Sequence, residues 1–310
     1  MLAAAFLIGA IQLSPVFFLG LLGVLLLISR PTTGREWFWI ALCALIVWWW
    51  TMIPETLPQR TIQASAAAYI GCFVLLTLAR IRSLFIRATL SVIVSALVVA
   101  TWYLLYHLQF SQFINTLVTE SWNGFRTLQP GWHLPPTPVY PVDDGATLST
   151  TATADIGPIL ASALTRLVPL YPAAIALTAL LGTWLAWGWY QRIALHPLAD
   201  AAPPFSQFRF NDHLIWVLVV VATVVLFVTN PGIKLVGENA LVVVVALYIA
   251  RGGAVSSATL RQMPPLLVAL MALMILLVFY LVLIGLAAIG VADTWIDFRR
   301  RRPPLTGAPR

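Results

Sequence analysis

Charge is what this sequence lacks. Only 9% of its 310 residues are Asp, Glu, Lys or Arg, where a soluble domain carries about 25%. That deficit excludes a water-soluble core of this size, a disordered tail and a nucleic-acid-binding protein. In place of charge stand 60% apolar residues and a mean hydropathy of +0.91. The formal charge of +7, from 18 basic and 11 acidic residues, is scattered between apolar runs and builds no polyanion-binding face. Cysteine is scarce as well. Cys43 and Cys72 lie inside apolar runs, where a thiol acts as a small hydrophobe, and no disulfide is expected. The four histidines, His107, His133, His196 and His213, never fall at i, i+3 or i, i+4, so no metal and no cofactor are expected.

Catalytic signatures are missing too. There is no G-x-S-x-G, P-loop or dinucleotide fingerprint. No apolar run holds a nucleophile–base pair or an aspartate dyad, since Asp155, Asp293 and Asp297 are expected outside the spans. The sequence therefore assigns no catalytic residue. An enzyme handling a lipid-linked substrate with loop acids is the least favoured reading.

What is present is a series of apolar runs. A helix crossing about 30 Å of hydrocarbon needs ~20 mostly apolar residues. The runs cover residues 2–29 (broken at Ser14-Pro15), 37–53 (closing on Trp48, Trp49 and Trp50), 63–79, 84–107, 169–190, 214–229, 233–250 and 264–291. The first has no charged flank and is too long for a secretory leader. The expected fold is all-α, a polytopic transmembrane helical bundle of about eight spans. A re-entrant turn at Asn230-Pro231-Gly232 would make seven.

Between spans four and five, Phe110, Phe113, Ile114, Leu117, Val118, Trp122 and Phe125 form a helical stripe. It reads as an amphipathic interfacial helix, lying in the interface plane or capping the bundle. A Pro/Ser/Thr-rich stretch over 129–153 and a short helix follow. The expected organisation is 1–107 for spans one to four and 108–168 for this insertion. Spans five to eight occupy 169–298, and a basic tail 299–310. Lys and Arg divide nine to nine between the two sides, and only the run Arg299, Arg300, Arg301 and Arg302 argues for a cytoplasmic C-terminus. The setting is that of a multi-pass protein of a bacterial inner membrane, with the lipid bilayer and other membrane-protein subunits as partners.

A charge at membrane depth is a functional candidate by default. Glu238, beside Asn239 and one turn after Lys234, is the one acid expected there. With Arg251 these form a candidate substrate-binding patch, and the alternative is a Lys234–Glu238 pair across one helical turn. Small-xxx-small pairs, among them Ser91/Ser95 and Gly182/Ala186, allow close helix approach.

Three stretches carry a resemblance. They are Pro203-Pro204-Phe205-Ser206-Gln207-Phe208-Arg209 before Leu214-Ile215-Trp216; Glu238-Asn239 through Tyr248 to Arg251-Gly252-Gly253-Ala254-Val255; and Gly290-Val291-Ala292-Asp293-Thr294-Trp295-Ile296-Asp297-Phe298-Arg299. Together they resemble the YybS-like predicted membrane proteins, a family of unknown function, with Arg251 standing where that family's pattern has glutamine. In overall pattern the family is similar to the S components of energy-coupling-factor transporters and to MreD-type scaffolds. The resemblance implies a non-enzymatic subunit of a membrane complex, S-component-like or scaffold-like. The alternative is a small-solute-binding transport component centred on Glu238 and Asn239. It also marks Asp293, Trp295, Asp297 and Arg299 as a juxtamembrane patch for partner docking or for anchoring the last span.

Overall fold

Proline starts and leucine runs set the helices. The computed structural model describes residues 16–52, 56–81, 83–110, 112–117, 119, 167–200, 202–260, 264 and 278–296. Among them every regular element is helical. They are α1 (Leu21–Ile28, preceded by a π-helical turn, Val16–Gly20), α2 (Gly34–Thr51), α3 (Leu57–Leu78), α4 (Leu84–Leu105), α5 (Tyr171–Ile193), α6 (Leu214–Phe227), α7 (Pro231–Leu260) and α8 (Phe279–Ile296). Among the described residues five helical stretches are long and apolar enough to cross a membrane: Leu57–Leu78, Leu84–Leu105, Val168–Ile193, Pro231–Ser257 and Phe279–Ile296. Val16–Ile28 and Leu214–Phe227 are shorter apolar helices. Among the described residues the fold is all-helical, with the long apolar helices of a membrane protein.

The chain divides into two compact units, Met1–Ala202 and Pro203–Arg310. In unit 1, α1 is the central element. Leu21, Leu22, Leu25 and Leu26 are fully buried against Tyr69 and Phe73 of α3 and Trp187 and Tyr190 of α5. It stops where Ser29 Oγ donates to the Leu26 carbonyl. Arg30 then takes a left-handed φ of 60°, a strained position for a residue with a Cβ, and Pro31 forbids a further turn. α3 begins earlier than the apolar run predicts, at Leu57 instead of residue 63. Pro58 in its first turn presets helical φ, and the turn carries Arg60 exposed.

Side-chain oxygens tie the spans of unit 1 together. Ser95 Oγ donates to the Ser65 carbonyl at 2.7 Å, Thr61 and Tyr103 share a bond of 2.9 Å, and the Tyr69 and Thr183 hydroxyls pair. Of the small-residue pairs, Ser91/Ser95 and Gly182/Ala186 are buried at helix contacts. A Cβ on Gly182 would come within 3.2 Å of the Phe17 backbone. The insertion helix uses its predicted stripe: Phe113, Ile114 and Leu117 enter the core, and the Phe113 ring lies 5.6 Å from Tyr171 and 6.4 Å from Tyr103. The rest of that stripe, from Val118 onward, lies outside the described residues. Cys43 is buried, Cys72 is half-buried, and both are free thiols.

α2 opens with a capping box. Thr33 Oγ1 accepts from the Glu36 N–H, and Glu36 Oε2 accepts from the N–H groups of Thr32 and Thr33 at 2.9 Å. Glu36 Oε1 also accepts from Leu195 N–H at 2.9 Å. One carboxylate thus caps a helix and pins the segment after α5. The Leu195 bond, followed by those from Thr33 and Thr32, outweighs burial and holds the Glu36 carboxyl down at about 2, against an ordinary 4.5. A carboxyl lowered in the folded state stabilises fully above its unfolded value, and that contribution fades as pH falls through the folded one. Glu36→Gln is therefore expected to lower the thermal midpoint at pH 7. The gap to wild type should close between about pH 4.5 and pH 2, as read by thermal unfolding in detergent across that range.

In unit 2, α6 and α7 form a hairpin at Asn230. Its Oδ1 accepts from the N–H groups of Gly232 (3.0 Å) and Ile233 (3.2 Å), an Asx cap with Pro231 as the first helical residue. α7 then runs to Leu260, ten residues beyond the predicted end of span seven.

Candidate functional site

Arg251 is why the end of that span misleads. On a hydropathy scale an arginine closes an apolar run. Here the helix continues through it because the neighbouring helix neutralises it. Arg251 is fully buried and Asp293 is 2% exposed. Arg251 Nε donates to Asp293 Oδ2 at 2.9 Å and Nη2 to the Asp293 carbonyl at 3.1 Å. The third nitrogen, Nη1, lies 2.9 Å from Asp212 Oδ1, and Asp212 Oδ2 accepts from Arg209 Nη2 at 3.0 Å. Below the guanidinium lies the Phe210 ring, 5.1 Å from centroid to Cζ, and Phe210 meets Tyr248 edge-on at 5.2 Å. Two cations and two carboxylates thus form one chain from the rim, where Arg209 and Asp212 are about two-fifths exposed, to the buried crossing of α7 and α8.

Backbone proximity makes the arrangement possible. Tyr248, Arg251 and Gly252 share one face of α7; Gly290 and Asp293, three apart, share one face of α8. A Cβ on Gly252 would run into the Leu286 carbonyl, 2.8 Å from its carbon, and one on Gly290 into the Tyr248 carbonyl, 2.9 Å from its carbon. Only glycine at both positions lets the helices approach closely enough for Arg251 to span to Asp293. Burial works to raise the Asp212 carboxyl, but its hydrogen bonds and charge contacts with Arg251 and Arg209 outweigh burial and hold it below the ordinary carboxylate range. Asp212 is therefore ionised at neutral pH and stays paired.

The structure brings together only part of what the sequence singles out. Arg251 and Asp293 meet, although Arg251 was grouped with Glu238 and Asn239, and Asp293 was placed outside the spans. Glu238 and Asn239 are half-buried. Asn239 Nδ2 donates to the Leu235 carbonyl one turn back at 3.0 Å, and the 12 residues from there to Arg251 are about 18 Å of helix. Among the described residues no ion pair joins Lys234 to Glu238. Trp295 is 70% exposed and so does not share the buried setting of Asp293. Asp297 and Arg299 lie outside the described residues. Among the described residues no group of three His, Cys, Asp or Glu is placed to hold a metal ion. Sequence reasoning missed Asp212 and Phe210, and the signal for them is weak. The signal for Asp293 was stronger: an acid three residues after a glycine, in a run that ends apolar on both sides.

Residues 142–294 match a family described as Predicted membrane protein (DUF2232). The chain is similar, over that stretch, to a membrane protein family of unknown function. The match contains Asp212, Tyr248, Arg251, Gly252, Gly290 and Asp293, and it ends one residue before Trp295. No curated protein and no solved structure matches the chain.

Proposed function

We propose that the protein is a non-enzymatic subunit of a membrane complex, crossing a bacterial inner membrane eight times. The observation that carries this reading is that the fully buried cation of unit 2, Arg251, is neutralised within the chain. Two Arg251 nitrogens donate to Asp293 and the third lies 2.9 Å from Asp212, so the guanidinium's charge is met by carboxylates of the same chain. Such a pair holds α7 against α8. In the same unit Trp216 (67% exposed) and Trp295 (70% exposed) face outward, and Trp is among the residues that anchor protein interfaces.

A second reading, a small-solute-binding transport component, is favoured by one detail. Beside Arg251 the buried Tyr248 and Thr294 hydroxyls interact with each other and, among the described residues, with no further partner, which leaves hydrogen-bonding capacity that a solute could take up. Purification of the tagged protein from its native membrane in mild detergent, with mass spectrometry of what accompanies it, separates the two. A subunit role predicts stoichiometric membrane or envelope-assembly proteins. Recovery of an ATPase with a transmembrane coupling subunit supports solute capture, and recovery of the chain alone contradicts the subunit role.

A further inference from the structure

Unit 1 holds a buried cation with no carboxylate. Arg87, in the first turn of α4, is 2% exposed. Its Nη1 donates to Thr77 Oγ1 at 3.0 Å, and its Cζ lies 4.5 Å from the centre of the Trp187 ring and 5.5 Å from that of Phe73. Among the described residues no Asp or Glu pairs with it. Two rings and one hydroxyl offset only part of the cost of desolvating a guanidinium. Two donors here, Arg87 Nε and Trp187 Nε1, are buried without an acceptor.

Neither of the described acids at this end of unit 1 pairs with Arg87. Trp187 packs on Tyr190 at 5.5 Å, the Tyr190 hydroxyl accepts from Leu198 N–H, Leu195 bonds Glu36, and Arg35 Nη2 donates to the Arg192 carbonyl at 2.9 Å. The turn between α3 and α4, the start of α2 and the end of α5 therefore meet at one end of unit 1. Arg30, Arg35, Arg80 and Arg192 are exposed there. Of the described acids at that end, Glu36 has both oxygens committed to N–H groups, and Asp200 is exposed.

A planar guanidinium with an adjacent indole N–H suits a phosphate oxyanion. Arg87 is also at the depth where such a group is found, since the first turn of a spanning helix sits near the headgroup layer. Beside it, Ile86, Leu90, Ile93 and Leu97 of α4 are 39–61% exposed, an apolar face along which acyl chains can lie. We propose that this end of unit 1 binds the phosphate of an anionic phospholipid, with Arg87 as the receiving cation.

The test places the full chain in nanodiscs of phosphatidylcholine, with or without phosphatidylglycerol, and pairs thermal unfolding with native mass spectrometry of retained lipid. The expected result is a higher midpoint with phosphatidylglycerol. Arg87→Gln should retain about tenfold less of it, the loss expected for one charge-assisted contact. Equal wild-type midpoints in the two lipids would overturn the proposal without any variant, which covers the case in which Arg87→Gln does not fold. Equal retention by wild type and Arg87→Gln would overturn it too. Stabilisation of wild type but not Arg87→Gln by inorganic phosphate, with no response to phosphatidylglycerol, would support the phosphate site and overturn the lipid as its source.

Discussion

Asp293→Asn is expected to cost about 3–5 kcal/mol of stability, the usual consequence of stranding one partner of a buried ion pair. The substitution keeps the shape of the side chain and removes its charge. Arg251 would then face an amide through Nε, while its only remaining carboxylate, Asp212, is about two-fifths exposed to solvent. A cation at membrane depth without its counter-ion carries a further cost on the order of 2.5–3.5 kcal/mol on insertion scales, so reduced membrane yield is expected alongside a lower midpoint. Replacing both partners, as Arg251→Met with Asp293→Leu, should recover most of the loss, because a well-packed apolar pair does about as well as a buried ion pair. Thermal unfolding of the three proteins in one detergent checks this.

Gly252→Val carries the second large effect. The crossing of α7 and α8 is backbone against backbone: the space a Cβ would need at Gly252 is occupied by the Leu286 carbonyl, and at Gly290 by that of Tyr248. Neither obstacle is a side chain that can rotate away. The helices must separate, which costs about 1–3 kcal/mol as overpacking and also lengthens the 2.9 Å reach from Arg251 to Asp293. Gly285 of α8, with nothing within 4 Å of its Cβ position, is the control, and Gly285→Ala should leave stability nearly unchanged. Thermal midpoints distinguish close packing at these two glycines from a general intolerance of substitution in the helix pair.

The fold was legible in the sequence to the extent that it depends on runs. Hydropathy located a helix for every apolar run that falls among the described residues, and Phe113, Ile114 and Leu117 of the stripe from Phe110 lie in the core. It failed where a single residue was judged alone. Arg251 ended a predicted span and Asp293 was left outside one, because each is costly in a membrane by itself. Only their pairing across two helices removes the cost, and pairing between positions 42 apart leaves no trace in local composition. Arg87, counted with the loop charges when Lys and Arg were divided nine to nine between the two sides, lies buried against Trp187. Glu238 and Asn239 drew attention as neighbours in sequence, whereas along the helix they stand about 18 Å from Arg251.

The measurement that most directly tests this account is the coupling between Arg251 and Asp293, from the midpoints of wild type, Arg251→Met, Asp293→Leu and the double variant. If the pair closes the α7–α8 crossing, each single change is severe, the double is much milder than their sum, and the coupling reaches at least the upper end for residues in contact, about 3 kcal/mol. Additive single effects would mean that the two charges do not depend on each other, and the closed site would have to be abandoned.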